Sequence, residues 1–414
     1  MRILIYSYNY HPEPIGIAPL MTEMAEGLVK RGHQVRVVTG MPNYPERRIY
    51  DEYKGKFYLT EERNGVTIQR SYVHINNPKP SLIDRLMLDG SFITTSFFQA
   101  VKGWRPDVIF ATVPPLPISL PVGLYGLASS SPVVLNVQDI VSEAAVRVKL
   151  IKENGLLIKT ARALENLAYK TAAKISVISD IFLDKLVEQG ISESKIVCIP
   201  NWVDVNFIKP SDKQNAFRTT HQLQDKFVVL YSGNIALTQG LETVIKAAAN
   251  LKQISEIAFV IIGEKSALGN LQKFCEEYKA NNVLLLPFQP REKLPEALSA
   301  ADVGLVVQKK RVTAFNLPSK IPVLLASGRA IVASVPETGT AMKAVEKSGG
   351  GVVVPPEDAD ALSATIMELY KNPEKVEALG RNGRKYAEEN YAFDAALDRY
   401  EALFEELTVK RSPL

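Results

Sequence analysis

The sequence predicts an α/β protein of two Rossmann-like, doubly wound domains that face each other across a cleft. Three observations carry this expectation. The chain has 414 residues, more than one compact core usually supports. Apolar runs alternate with amphipathic segments throughout, the rhythm of parallel strands joined by crossover helices. That rhythm halts at a polar stretch after Pro200 and then restarts.

Taken in order, RILIY at Arg2–Tyr6 reads as a buried strand and not as a leader, which would be expected to show a charged region, an apolar core and a cleavage site. Strands are expected next at Gln34–Thr39, Val66–Ser71, Val108–Thr112, Val133–Val137, Ile175–Val177 and Ile196–Ile199. Helices fit at Leu20–Arg31, closed by Gly32, and at Leu156–Thr171. Residues 108–138 carry no charge, but Pro114, Pro115, Pro117, Pro121 and Pro132 interrupt them. Such a segment reads as strand, short helix and strand, not as a membrane span. The polar stretch NWVDVNFIKPSDKQNAFRTTHQ, from Asn201, reads as an interdomain linker.

Beyond it, strands are expected at Phe227–Ser232, Ala258–Ile262, Val283–Leu286, Val303–Val306, Ala330–Ala333 and Gly351–Val354. Helices such as Leu241–Leu251 and Ala359–Leu369 lie between them. Sheets of this kind bind ligands outside the carboxyl ends of their strands. A last amphipathic helix, Ala395–Leu407, is expected to return to the first domain. The domains are then 1–203 with 394–414, and 204–393.

Composition narrows the class. Hydrophobic content of 46% with 23% charged residues matches a globular chain and excludes a disordered one. Cys198 and Cys275 lie far apart, which fits a reducing cytoplasm. His11, His33, His74 and His221 are scattered without metal-ligand spacing, so no metal is expected. The net charge of +4 falls entirely in residues 1–200, which hold 23 Lys and Arg against 19 Asp and Glu. Seven of those bases lie between Arg147 and Lys174. They form either a solvated helix face or a surface for an anionic acceptor or anionic lipid headgroups. Together with the apolar segment Phe92–Trp104 they raise peripheral membrane contact as an expectation; the alternative makes Phe92, Phe97 and Phe98 plain core. No nucleic-acid-binding module is present, and no nucleic-acid partner is expected.

The first strand leads into YSYNYHPEPIGIAPLMTEMA, where a dinucleotide-binding domain would carry GxGxxG. Its absence disfavours a nicotinamide or flavin cofactor. Gly16 in this loop is either a turn glycine or a point of close backbone approach to a ligand. In VVLYSGNIALTQGLETVIKAA a strand ends at Ser232-Gly233-Asn234, and Gln239-Gly240 precede a helix. That arrangement presents backbone amides to phosphate oxygens. A similar turn stands at Gly263-Glu264-Lys265, and ordinary βα turns are the alternative for both.

In AFNLPSKIPVLLASGRAIVAS, Pro318 suits the first position of a helix. Ser319 and Lys320 would then offer amides and a compact positive charge to a diphosphate. Asp139, just past a strand end, and Glu143 are candidate catalytic groups, with helix capping the alternative for Asp139. Asp358-Ala359-Asp360 has the spacing of a metal-binding DxD element, but its place after Pro355-Pro356 at a helix start reads as a cap.

Read together, HPEPIGIAPLMTEMA, RGHQVRVVTGMPNYP, VQD, IPNWVD, YSGNIALTQGLE, LPSKIPVLLASGR and GGGVVVPPEDADAL resemble, in family order, the landmarks of family 4 retaining glycosyltransferases of the type B fold. The resemblance covers essentially the whole chain and is closest to the colanic-acid-type exopolysaccharide branch. It implies catalysis without a metal, a nucleotide held by the second domain and an acceptor held by the first. The chain also departs from the family pattern. Asn234 and Gln239 stand where an arginine and a lysine are usual. Phe315 and Val323 replace two glutamates, the second of which usually grips the ribose, and Gln138-Asp139 lie near a missing histidine.

On this resemblance the donor is expected to be a UDP-hexose, with glucose first, and the acceptor a polysaccharide or lipid-linked oligosaccharide. Uracil is expected beside Phe288, Gln289 and Arg291, and the diphosphate against Gly233-Asn234 and the helix from Pro318. Lys320 would stabilise the departing charge, and Asp139 would position the acceptor hydroxyl or take its proton. The competing readings are a nucleotide-sugar epimerase of the same fold and a non-enzymatic two-lobed sugar-binding protein.

Overall fold

A computed structural model describes residues 1–14, 16–75, 81–140, 156–236, 238–312 and 317–409. The chain folds as two compact units, Met1–Asn201 joined by the chain from Leu397 on, and Trp202–Ala396. In the first, strands β1 (Arg2–Tyr6), β2 (Gln34–Gly40), β3 (Tyr58–Arg63), β4 (Val66–Ser71), β5 (Val108–Val113), β6 (Val133–Val137), β7 (Lys174–Val177) and β8 (Ile196–Cys198) form one sheet. Its order is β3-β4-β2-β1-β5-β6-β7-β8, parallel except for β3 on β4. The centre reads as an unbroken apolar run because helices cover both faces: β5 is buried at all six positions.

Strand β3 departs from the sequence reading, which left it out. Its YLTEER pattern is half-exposed and polar, as an edge strand can be. The tight turn Asn64-Gly65, both at positive φ (48° and 79°), is nonetheless a readable hairpin signal. The helix Ala18–Lys30 starts two residues earlier than expected, with Pro19 in its first turn.

The segment Phe92–Trp104 is not one apolar surface. Phe92 is fully buried, edge-on to Tyr6 and Tyr8, and Trp104 lies under the Arg36 guanidinium, whereas Phe98 is exposed. Arg147, Lys149 and Lys152 of the basic run lie outside the described residues. Among the described residues no helix is long and apolar enough to cross a membrane.

The last helix is Phe393–Val409, and from Leu397 on it belongs to the first unit. Tyr400 is buried there, its hydroxyl 3.2 Å from Asn136 Nδ2 and 3.0 Å from Ser176 Oγ. Phe404 packs edge-on to Phe110, and Arg31 pairs with Asp398 and Glu401.

In the second unit, β9 (Phe227–Ser232), β10 (Ile257–Gly263), β11 (Val283–Pro287), β12 (Val303–Val307), β13 (Ala330–Ser334) and β14 (Gly351–Val354) run parallel in the order β11-β10-β9-β12-β13-β14. The stretch from Asn201 to Gln222 is not a linker. From Trp202 it belongs to this unit, and its short helix Ala216–Thr220 buries Phe217 and Arg218. Arg218 donates to Asp302 Oδ2 at 2.6 Å and to the carbonyls of Ala300 and Lys226 at 2.8 and 2.9 Å. Asp302 also accepts from the Val228 amide at 2.8 Å. A charge in a polar segment suggests solvent, but a partner distant in sequence brings this one into the core, where leaving either ion unpaired would cost about 3–5 kcal/mol.

Candidate active site

The second sheet reverses its strand order between β9 and β12, and such a reversal opens a crevice at the strands' carboxyl ends. A cavity of about 360 Å³ lies there. Ser232 and Gly233 line it from the end of β9, Ile262 from β10, and Phe288, Gln289 and Arg291 from the turn after β11. Ser319, Lys320 and Val323 line it from the helix Lys320–Ala326 and its cap, and Leu294, Ala297, Leu298 and Leu324 complete an apolar wall.

Lys320 is the polar centre of this cavity. Its Nζ donates to the Tyr231 hydroxyl at 2.8 Å and sits 4.3 Å from the centre of the Tyr231 ring. That hydroxyl donates in turn to the Asn234 carbonyl at 2.6 Å. Burial lowers the Lys320 ammonium to about 8 and raises the Tyr231 phenol, so the phenol stays neutral. Tyr231 thus holds the ammonium as a dipole and leaves its charge uncancelled. Among the described residues no carboxylate pairs with it.

Two glycines make this arrangement possible. Gly233 has φ +138°, and a Cβ there would stand 2.5 Å from Lys320 Cε, so the lysine stem passes only over a glycine. A Cβ on Gly263 would meet Ile235 Cδ1 at 2.3 Å and the Gly233 carbonyl at 3.1 Å. Gly263 therefore seats the turn above it and does not itself line the cavity.

Of the expected donor contacts, Ser232, Gly233, Phe288, Gln289, Arg291, Ser319 and Lys320 come together. Asn234 exposes its side chain and contributes its carbonyl to Tyr231. Gln239 donates its amide to Ala236 at 2.9 Å and does not line the cavity. Pro318 is not the first helical residue: the helix begins at Lys320, and the Pro318 carbonyl accepts the Ile321 amide at 2.9 Å in a tighter turn. Ser319, at the cap, makes no side-chain capping bond. Val323, where the family resemblance implies a ribose-binding glutamate, adds to the apolar wall.

In the first unit, Gly16 has φ +74°, and the Tyr44 ring lies 3.6 Å from where a Cβ would stand. Sequence reading passed over Glu13, which organises this loop. It is 4% exposed and accepts the amides of Asn43 and Tyr44 at 2.7 and 2.9 Å and Asn9 Nδ2 at 2.7 Å. Burial raises its carboxyl above the ordinary range. Tyr231 was passed over too, since an aromatic residue in an apolar strand reads as core.

Asp139 is half-buried, two residues beyond β6. Beside it Gln138 pairs with Asn201 at 2.8 and 3.1 Å. Glu143 lies outside the described residues. Asp358 caps its helix by accepting the Ala361 amide at 2.8 Å, and Asp360 accepts from Asn250 at 2.8 Å. Among the described residues no three His, Cys, Asp or Glu side chains are grouped to hold a metal ion.

Two doubly wound units, one with a cavity at the switch point of its sheet, are the architecture of glycosyltransferases of the type B fold. Sucrose-phosphate synthase from Thermosynechococcus elongatus has this fold, with a TM-score of 0.72, 17% identity and 99% of each chain covered. So does HepE of Anabaena, solved in complex with UDP, with a TM-score of 0.71, 17% identity, and 98% of this chain and all of that one covered. Residues 16–202 match the glycosyl transferase 4-like domain, and residues 212–386 match glycosyl transferases group 1. The putative colanic acid biosynthesis glycosyl transferase WcaI of Escherichia coli (strain K12) is 33% identical over 397 residues, covering 94% of this chain and 96% of that protein. The chain belongs to this family of group 1, family-4-like glycosyltransferases.

Proposed function

We propose that this glycosyltransferase takes a hexose from a UDP-sugar, glucose being the first candidate, and transfers it with retained anomeric configuration. The acceptor in this reading is a saccharide or lipid-linked saccharide of exopolysaccharide synthesis, made at the cytoplasmic face of a plasma membrane. The observation that carries it is Lys320, a buried ammonium without a carboxylate partner among the described residues, lining a cavity of about 360 Å³. A diphosphate is the anion that complements it.

As the bond from sugar to diphosphate breaks, negative charge grows on the leaving oxygen. Lys320 is already fixed by Tyr231, so it meets that charge without reorganising. It stands in for a divalent cation, and the reaction needs no metal. The apolar wall at Phe288, Leu294 and Leu298 suits the flat face of a base, while Gln289 and Arg291 offer polar contacts. Asp139 positions the acceptor hydroxyl or takes its proton. The relative named for colanic acid biosynthesis supports the exopolysaccharide role, and the HepE structures with UDP and UDP-glucose support the donor class.

Purified protein offered a panel of nucleotide sugars and saccharide acceptors in excess EDTA tests this reading. Transfer from a UDP-sugar, with the anomeric configuration retained in the product by NMR, is expected. Activity restored only by magnesium or manganese would overturn the metal-free mechanism. An epimerised nucleotide sugar formed from donor alone would replace the transferase reading with an epimerase.

A further inference from the structure

Three helices of the first unit lie side by side: Leu82–Ala100 packs on Ser119–Ser129, which packs on Leu156–Thr171. The first of them carries large apolar side chains on its outer face as well as on its inner one. Toward the sheet it buries Leu88, Phe92 and Ala100 together with Thr95, Ser96 and Gln99, whose polar groups bond Tyr72, Tyr6 and Arg70. Outward it exposes Ile83 (71%), Leu86, Met87 and Phe98, with Val101 just beyond its end. At helical spacing these residues fall within about 60° of a single line along the helix.

The middle helix repeats the pattern, exposing Leu120, Leu124 and Leu127, the last at 78%. It carries no charged residue. The third helix exposes Leu167 between Lys159, Arg162 and Lys170, all exposed, and buries its one carboxylate, Glu165, to 2%. On the first helix Asp84 is engaged in the capping box with Ser81, and Asp89 is half-buried. Nine of the fourteen exposed large hydrophobic residues among the described residues therefore gather on three adjacent helices and the cap of the first, edged by positive charge. Isolated exposed apolar residues need no explanation, but a gathered patch marks an interaction surface.

We propose that this face is a docking surface for an anionic lipid bilayer, which the enzyme meets peripherally through an apolar strip and a basic edge. The charge pattern selects this occupant over a second copy of the chain. A two-fold contact through the patch would bring Lys159, Arg162 and Lys170 of both copies together, and like charges oppose such a contact. A bilayer of anionic headgroups offers the opposite charge beside the apolar phase. The proposal is independent of the donor reading, because vesicle binding and nucleotide binding are measured separately.

Flotation with vesicles of phosphatidylcholine, with and without phosphatidylglycerol, tests it. The wild-type protein should float with the anionic vesicles, less so as salt rises. Leu124→Asp with Leu127→Asp should weaken binding by about tenfold or more, since charges replace the apolar strip. Lys159→Glu with Arg162→Glu should weaken binding to anionic vesicles by about tenfold or more. Both pairs should keep the melting-temperature shift with UDP. Should the aspartate pair fail to fold, Phe98→Trp supplies a second measurement: its fluorescence should be quenched by brominated acyl chains. Three results would overturn the proposal: no flotation at low salt, flotation indifferent to both pairs, or an unquenched Trp. A lipid-free dimer abolished by the aspartate pair would also overturn it, by identifying a second copy as the occupant.

Discussion

The Lys320 ammonium sits 2.8 Å from the Tyr231 hydroxyl and 4.3 Å from the centre of that ring, directly over Gly233. The hydroxyl's own proton is spent on the Asn234 carbonyl, so its lone pair faces the lysine. The end of β9 and the turn after it thereby fix a cation delivered by the helix Lys320–Ala326.

If this cation meets the departing diphosphate, Lys320→Ala should lower turnover by about a hundredfold to a thousandfold. Donor KM should change less, because the leaving group's charge is greatest in the transition state. Lys320→Arg should rescue poorly, since a planar fork cannot take the path of a compact ammonium over Gly233. Unchanged turnover in a folded Lys320→Ala protein would remove Lys320 from the mechanism.

The pH profile follows from the same residue. Lys320 is charged below about 8 in the free enzyme and loses its proton above it. Since kcat/KM reports the free enzyme, it should fall as pH rises through about 8. The kcat limb should lie higher, because a bound diphosphate favours the charged form. Tyr231→Phe removes the ammonium's hydrogen-bond acceptor and should move the kcat/KM limb to lower pH. Profiles of the two proteins that superimpose would contradict this coupling.

Stability should respond in the opposite sense to activity. In the unfolded chain Lys320 titrates near its ordinary value of about 10.5, and in the folded one near 8. Between these values the unfolded state binds more protons, so this group's contribution to stability rises with pH across that window. Below it the buried charge is a full cost. Lys320→Met should therefore raise stability at pH 7, by on the order of 1–3 kcal/mol, with the gain shrinking as pH rises past 8. Melting curves at several pH values measure it, and a lower Tm at pH 7 would contradict it.

Gly233→Ala sets a methyl against the lysine stem at a backbone φ of +138°. The strain there is on the order of 1–3 kcal/mol. A few degrees lost in Tm and a fall in kcat of about tenfold or more are expected, as Lys320 shifts away from Tyr231. Wild-type kcat in Gly233→Ala would show that this contact does not position the lysine.

Most of the fold was legible because parallel strands under two helical layers leave unbroken apolar runs, as in VIFATV of β5. Strand β3 was not, since one face and its outer edge meet solvent, although Asn64-Gly65 marked its turn. Arg218 misled for another reason: its burial depends on Asp302, 84 residues away, and no local pattern announces such a pairing. At the site, Ser232, Gly233 and Phe288 were readable as residues at or just past strand ends. The role of Tyr231 was not, because its ring packs as core while its hydroxyl serves the cavity.

The helix Phe393–Val409 has a consequence for synthesis on the ribosome. Residues Met1–Asn201 emerge long before Tyr400 and Phe404, which complete the first unit. Until then Asn136 and Ser176 lack the Tyr400 hydroxyl, and Phe110 lacks its aromatic cover. The second unit, Trp202–Ala396, is continuous and has all six of its strands by the time Ala396 is added. Nascent chains tend to fold unit by unit from the amino terminus, but here the middle of the polypeptide can mature ahead of its beginning. A stop codon after Ala396 would release a chain with a finished second half and a first half left open over β5, β6 and β7, where protease should cut first.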